Sequence, residues 1–221
     1  MRGLEQIPWL YDLGMALAER GGFARWRAWL VKGATGRALD LGTGTGRNLP
    51  LFPPGVRVIA VDPHRENLHR ARARGPAVPL VLARAEALPF RERAFDTVVS
   101  GLVLCSVGDQ ARALGEARRV LRPGGALRLL EHVRHRGLRG SLQDLVQPAW
   151  TALSGGCHPN RDTERAVEAA GFRIEPESVR ARGAMRRLQA RAPAASSIPG
   201  PVRGSPVGGS PFRGSPVRDG R

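Results

Sequence analysis

Lysine is almost absent from this chain: Lys32 stands alone among 35 basic residues, and all the others are arginine. Tyrosine occurs once, aromatic residues make up 5% of the sequence, and the only cysteines are Cys105 and Cys157. Two cysteines cannot build a disulfide framework, and these two form no close pair of zinc ligands. His132 and His135 fall on an expected strand with their side chains on opposite sides, so no metal site is expected. No apolar run approaches the ~18–20 residues of a membrane span, and the N-terminus lacks the apolar core of a secretory signal. These absences point to a reduced, cytoplasmic protein. Acidic residues are also scarce, leaving a net charge of +16, half of it from Arg180 onward. The bias towards Arg, Ala, Gly and Pro is what a GC-rich coding sequence produces by itself. A basic chain also attracts anionic membranes, so a peripheral membrane contact is kept open. Nucleic acid is not the expected partner, because aromatic and basic residues are not interleaved as on an RNA platform.

What is present in quantity is glycine, and its densest stretch is Arg37-Ala-Leu-Asp-Leu-Gly-Thr-Gly-Thr-Gly46. A short apolar strand runs into glycines at every second position, as in strand-to-helix turns that receive a ligand against the main chain. The dinucleotide fingerprint G-x-G-x-x-G is not met, since Arg47 stands where its third glycine belongs. Asp40 would repel a pyrophosphate and suits a cationic ligand carrying a ribose and an amino group. About 20 residues past Gly42, Asp62 ends a second apolar strand, where a carboxylate could accept hydrogen bonds from a ribose diol.

The rest of the chain alternates strand and helix. Strands are expected at 57–62, 78–82, 95–100, 126–133 and 172–174. Helices are expected at 23–30, 64–74, 109–121, 161–170, and at 137–153 with a break at Pro148. This alternation predicts an α/β fold, a doubly wound parallel sheet with helices on both faces. Ligands of such sheets sit outside the carboxyl ends of the strands. Asp40 to Gly46, Asp62-Pro63, Ala85-Glu86, Leu102 to Ser106 and Glu131-His132 all fall there.

The pattern D-x-G-x-G-x-G resembles motif I of the class I S-adenosylmethionine (SAM) methyltransferases. Ala85-Glu86-Ala87-Leu88-Pro89-Phe90, Phe95-Asp96 and Leu121-Arg-Pro-Gly-Gly125 resemble their later motifs. Gly101 to Val107, Leu130-Glu-His-Val133, Pro148-Ala-Trp150 and Gly156-Cys-His-Pro-Asn-Arg161 are similar to the branch that contains the animal alkyl-thiol S-methyltransferases and bacterial relatives. The resemblance implies a Rossmann-like fold with SAM as cofactor, held by Asp40, Gly42, Thr43, Gly44, Gly46, Asp62, Pro63, Ala85, Glu86 and Leu102. It implies a small, apolar methyl acceptor, a thiol or a quinone-like lipid, with Glu131, His132 and His158 as the titratable groups facing it. Trp150 and Leu153 would shape the acceptor pocket. Many family members carry Asp where this chain has Arg84, so the adenine amino group would lose that partner. Ubiquinone and menaquinone C-methyltransferases share the first half of the motifs. A fold of this kind that has lost catalysis and binds nucleic acid or a membrane surface is the rival from another class.

The chain divides into an N-terminal helical cover at 1–35, a methyltransferase domain at 36–180 and an Arg/Gly/Ser/Pro-rich tail at 181–221. The tail repeats Gly-Ser-Pro at Gly204, Gly209 and Gly214 and is expected to be disordered from about 192. Residues 181–187 hold few β-branched side chains, so a weak helix is expected over 184–191. The sheet would then lack its seventh strand or keep only a vestige.

Overall fold

A computed structural model describes residues 22–135, 137–154 and 156–194. Residues 1–21 of the expected N-terminal helical cover and the Gly-Ser-Pro repeats lie outside the described residues. Strands β1 (Arg37–Leu41), β2 (Arg57–Asp62), β3 (Leu80–Leu82), β4 (Phe95–Gly101) and β5 (Leu121–His132) come first in the chain. β6 (Arg173–Ile174), β7 (Arg180–Arg182) and β8 (Met185–Arg191) complete the set. The sheet order is β3-β2-β1-β4-β5-β8-β6, with β7 paired to β8. β1 to β5 pair in parallel, and β8 runs antiparallel between β5 and β6.

Among the described residues, five α-helices cover the sheet: α1 (Ala24–Lys32), α2 (Arg65–Arg74), α3 (Gln110–Val120), α4 (Leu138–Ser154) and α5 (Thr163–Ala169). Alternation along the strands assigns the faces. Ala38 joins Leu30 and Val31 of α1, while Leu39 and Leu41 point the other way into a cluster with Ala113, Leu114 and Val167 of α3 and α5. Ala60 meets Ala71 of α2 on the α1 side. Two helix starts are capped by carboxylates: Asp109 accepts from the Arg112 N–H and Asp162 from the Arg165 N–H.

The structure corrects the expected loss of the seventh strand. Residues 185–191 form no helix; they are β8, which fills the gap beside β5 with Leu129 opposite Leu188 and His132 opposite Met185. Leu188 and Ala190 are buried against the α3/α5 cluster. The opposite face does not use β-branched residues. Arg187 instead lies over the rings of Trp26 and Trp29, at 5.5 and 4.6 Å from their centroids, so its stem and planar head serve as core surface. Gln189 donates to Glu175 at 2.7 Å. β7 and β8 form a hairpin around Gly183, whose φ of 58° suits the tight turn. Order extends past the strand, with Ala192 buried and its N–H bonded to the Gly125 carbonyl.

The expected break at Pro148 is also absent, and α4 passes through it. A proline removes one helical hydrogen bond, here at the Asp144 carbonyl, and on so exposed a helix water can replace it. Leu138, Leu142, Leu145, Val146, Trp150 and Leu153 of α4 are all exposed. Trp150 and Leu153 do not line the cavity at the carboxyl ends of β1, β2 and β4.

Replacing Leu188 by Ala should lower unfolding free energy by about 2–5 kcal/mol, the cost of truncating a fully packed leucine. Urea denaturation of the full chain measures this. A loss under about 0.5 kcal/mol, typical of surface sites, would mean that β8 is not part of the core.

Candidate functional site

A cavity of about 550 Å³ opens at the carboxyl ends of β1, β2 and β4. Its floor is the glycine turn after β1. Gly42, Gly44 and Gly46 have φ of 63, 57 and 82°, the left-handed region that favours glycine. The three glycines do different work. A Cβ on Gly42 would strike the Val103 side chain at 2.4 Å, and one on Gly46 would strike the Ala71 backbone at 2.7 Å. Those two let the turn pack against the β4 loop and α2. Above Gly44 there is nothing within 4 Å, so its bare backbone faces the cavity.

Asp40 lies beneath the turn rather than at its surface. It is fully buried and accepts from Thr43 Oγ1 at 2.6 Å and Asn48 Nδ2 at 2.8 Å. Burial raises its pKa to about 6 against the hydrogen bonds from Thr43 and Asn48 and the nearby Arg27 charge. Asn48 in turn accepts from Arg27 at 2.8 Å. Arg27 and Asn48 both line the cavity, and neither was picked out from the sequence. Arg27 belongs to α1, outside every recognisable motif, so no local spacing could have marked it.

Asp62 reaches the cavity as expected. It accepts from the Gly44 N–H at 2.9 Å, the His64 N–H at 2.9 Å and Asn67 Nδ2 at 3.0 Å. A carboxylate offers about four lone-pair sites, so one is left over. Thr43, Gly44, Pro63, Ala85, Glu86 and Leu102 also line the cavity, whereas Asp40 and Gly46 support it from behind. Arg84 donates to Glu86 at 3.2 Å, and Glu86 also accepts from the Gly108 N–H at 3.0 Å. Burial alone would raise the Glu86 carboxyl, but backbone N–H donors and Arg84 outweigh it and hold its pKa below the ordinary value.

Leu102, directly after β4, has φ of 62°, a rare conformation for a leucine. The reason is Glu131. Its carboxylate is 1% exposed and accepts from Ser100 Oγ and from the N–H groups of Val103, Leu104 and Cys105, at 3.0–3.3 Å. Burial pushes its pKa up in spite of those donors. Every acceptor position of Glu131 is thus turned to the β4 loop. The expected acceptor-facing trio is not brought to the cavity wall. Glu131 holds the loop, His158 Nδ1 sits 2.8 Å from the Gly156 carbonyl, and His132 faces Cys157 at 3.8 Å.

The structure places the cysteines together. Far apart in sequence, Cys105 and Cys157 meet beside His132, with the two sulfurs and a ring nitrogen all within 4.8 Å of one another. The His158 N–H bonds the Cys105 carbonyl at 2.7 Å and joins the two loops. The neighbouring Cys157, then burial, pushes the Cys105 thiol up, and the neighbouring Cys105 and His132 pull the Cys157 thiol down.

With this geometry in place, the comparisons with known proteins are informative. A family model described as a methyltransferase domain matches residues 39–129. The thiol S-methyltransferase TMT1A of Homo sapiens is 34% identical over 177 residues, covering 74% of this chain and 70% of that protein. The thiol S-methyltransferase TMT1B of Rattus norvegicus is 36% identical over 148 residues, 61% of this chain and 59% of that protein. Among solved structures, an S-adenosylmethionine-dependent methyltransferase from Mesorhizobium loti superposes with a TM-score of 0.60 at 21% identity, covering 76% of this chain and 96% of that one. That last likeness speaks to the fold alone.

Asp40 gives the site a pH signature. Its folded pKa of about 6 exceeds the reference value of 3.8, so the native state favours the protonated form. The stability from this group is fully present below pH 3.8 and is lost as pH rises through about 6. Two pKa units correspond to about 3 kcal/mol. The stability of Asp40→Asn relative to the unsubstituted chain should therefore rise by about that much between pH 4 and pH 7. Denaturation curves at both pH values check it, and a difference independent of pH would place the Asp40 pKa near its ordinary value.

Proposed function

The chain belongs to the SAM-dependent methyltransferase family that includes the human thiol S-methyltransferase, and from that premise we propose that it methylates the sulfur of a small, apolar thiol. The observation that carries the acceptor class is the 34% identity to that enzyme across 177 residues, which extends well past the cofactor motifs. The cofactor side has support of its own in the shape of the cavity.

Bound SAM supplies an electrophilic methyl carbon on a sulfonium, so the acceptor sulfur can form the new C–S bond as the old one breaks and the donor leaves as a neutral thioether. The residues present fit such a ligand. The open space over Gly44 would admit it against the main chain, and the spare acceptor capacity of Asp62 suits a ribose hydroxyl. Arg27, 7% exposed and held by Asn48, suits the carboxylate of the methionine part. Leu102 and Val103 supply apolar wall, and Arg84, paired with Glu86, takes the position where an acidic partner for adenine would otherwise stand. The protein's task is mainly to hold two reactants in line and exclude water. The C-methylating reading, a quinone-like acceptor, has no separate observation in its favour.

Two measurements test this. In calorimetric titration, Asp62→Ala should weaken SAM binding by about 1.5–3 kcal/mol, the range for hydrogen bonds to a charged group, and Gly44→Val should abolish it, because a β-branched residue resists positive φ and fills the open space. Unchanged affinity in both would show that SAM does not bind there. Transfer of labelled methyl from SAM to a panel of alkyl thiols and quinols should label thiols. Label found only in quinols would refute the thiol assignment.

A further inference from the structure

The proposed chemistry needs a thiolate, which is far more nucleophilic than a thiol, yet the titratable groups at the end of β5 do not line the cavity. Glu131 is consumed by the β4 loop. Directly behind the wall, however, lies the soft-donor group of Cys105, His132 and Cys157. Both cysteines are 1% exposed. Cys105 Sγ lies 3.6 Å from Ser106 Oγ, and the Cys157 N–H bonds Ser154 Oγ at 3.2 Å; Ser106 and Ser154 both line the cavity.

We infer that Cys105, His132 and Cys157 form a zinc site beside the cavity, with its fourth coordination place taken by the sulfur of the acceptor thiol. The fourth-ligand part rests on the proposed thiol methylation; the three-residue site does not. Zinc bonds sulfur at about 2.3 Å and imidazole nitrogen at about 2.1 Å, so tetrahedral geometry holds such donors roughly 3.6–3.8 Å apart. Cys157 Sγ and His132 Nδ1 already stand 3.8 Å apart, and all three donor atoms lie within 4.8 Å. Two thiolates and an imidazole form a soft set that selects zinc over magnesium or calcium. Three protein ligands leave one place open, the pattern of catalytic rather than structural zinc. A thiol bound there loses its proton to solvent and is held as a thiolate at neutral pH. The ligands come from the loop after β4, the end of β5 and the turn after α4, so metal would also fasten the three segments that flank the acceptor side.

The test uses the full chain, reduced and stripped with a chelator, then titrated with cobalt(II) chloride. One cobalt per chain should bind with a thiolate-to-metal band in the near ultraviolet and visible bands of a tetrahedral site, and zinc chloride should displace it. Cys157→Ala and His132→Ala should each weaken binding on the order of 100-fold; circular dichroism and SAM affinity show that these variants are folded. Adding hexanethiol should shift the visible bands. No band, a band that survives Cys157→Ala, or a spectrum indifferent to hexanethiol would overturn the inference. A cobalt spectrum without thiol methylation would count against the thiol reading and the fourth ligand that rests on it while leaving the three-residue site, and thiol methylation without metal uptake would count against this inference alone.

Discussion

The buried carboxylate of Glu131 is the constraint on which the ligand end of this sheet depends. Moving a carboxylate out of water is costly, and only a near-complete set of donors offsets it. Here the donors are one hydroxyl and three consecutive backbone N–H groups of the loop after β4. A loop whose N–H groups converge on one point must curl sharply, which is why Leu102 is held at φ 62°. The curl brings Val103 against Gly42, at a distance where no residue with a Cβ would fit. Gly42 starts the turn that exposes the Gly44 backbone, and Asp40 anchors the same turn from below through Thr43 and Asn48. One carboxylate on β5 and one on β1 therefore shape the cavity between them without lining it.

The sequence made the cofactor half of this arrangement legible because glycine spacing and apolar runs are local signals. β1, β2, β4 and β5 and the positions of Asp62 and Glu86 followed from them. Asp40 and Glu131 stand under their loops rather than in the cavity lining, which sequence does not reveal: a carboxylate at a strand end looks the same whether it faces ligand or a neighbouring loop. β8 was misread because its inward face on the α1 side is built from Arg187 over two tryptophans, and a propensity argument counts that arginine as polar. The meeting of Cys105, His132 and Cys157 depends on where two loops and a strand end come together in space, which no spacing rule reports.

The arginine excess is partly internal. Arg128, 6% exposed, caps the Leu30 carbonyl at 2.8 Å and stacks over Trp29 at 4.3 Å, and burial lowers its pKa to about 10. Arg119 joins Glu116 to the Leu88 and Phe90 carbonyls, and Arg161 bonds the Leu104 and Val107 carbonyls. The planar guanidinium fork can bind two carbonyls at once, which an ammonium point charge does poorly. In a chain with one lysine, these contacts are structural ties between loops, so net charge by itself says little about an anionic partner.

The cavity and the groups behind it come from different parts of the chain. The cavity rests on a bare glycine turn and fixed carboxylates, and apart from Arg27 of α1 and Ser154 its lining runs from Gly42 to Gly108, inside the 39–129 that matches the family model. Backbone geometry is demanding but chemically generic, so it suits a cofactor common to many enzymes. Behind the cavity lie residues C-terminal to that span: His132 at the end of β5, and Cys157 and His158 in the turn after α4. Those are side-chain chemistries, tied to the loop after β4 through the Cys105 and Leu104 carbonyls. The loop pinned by Glu131 stands between the two and holds them in register.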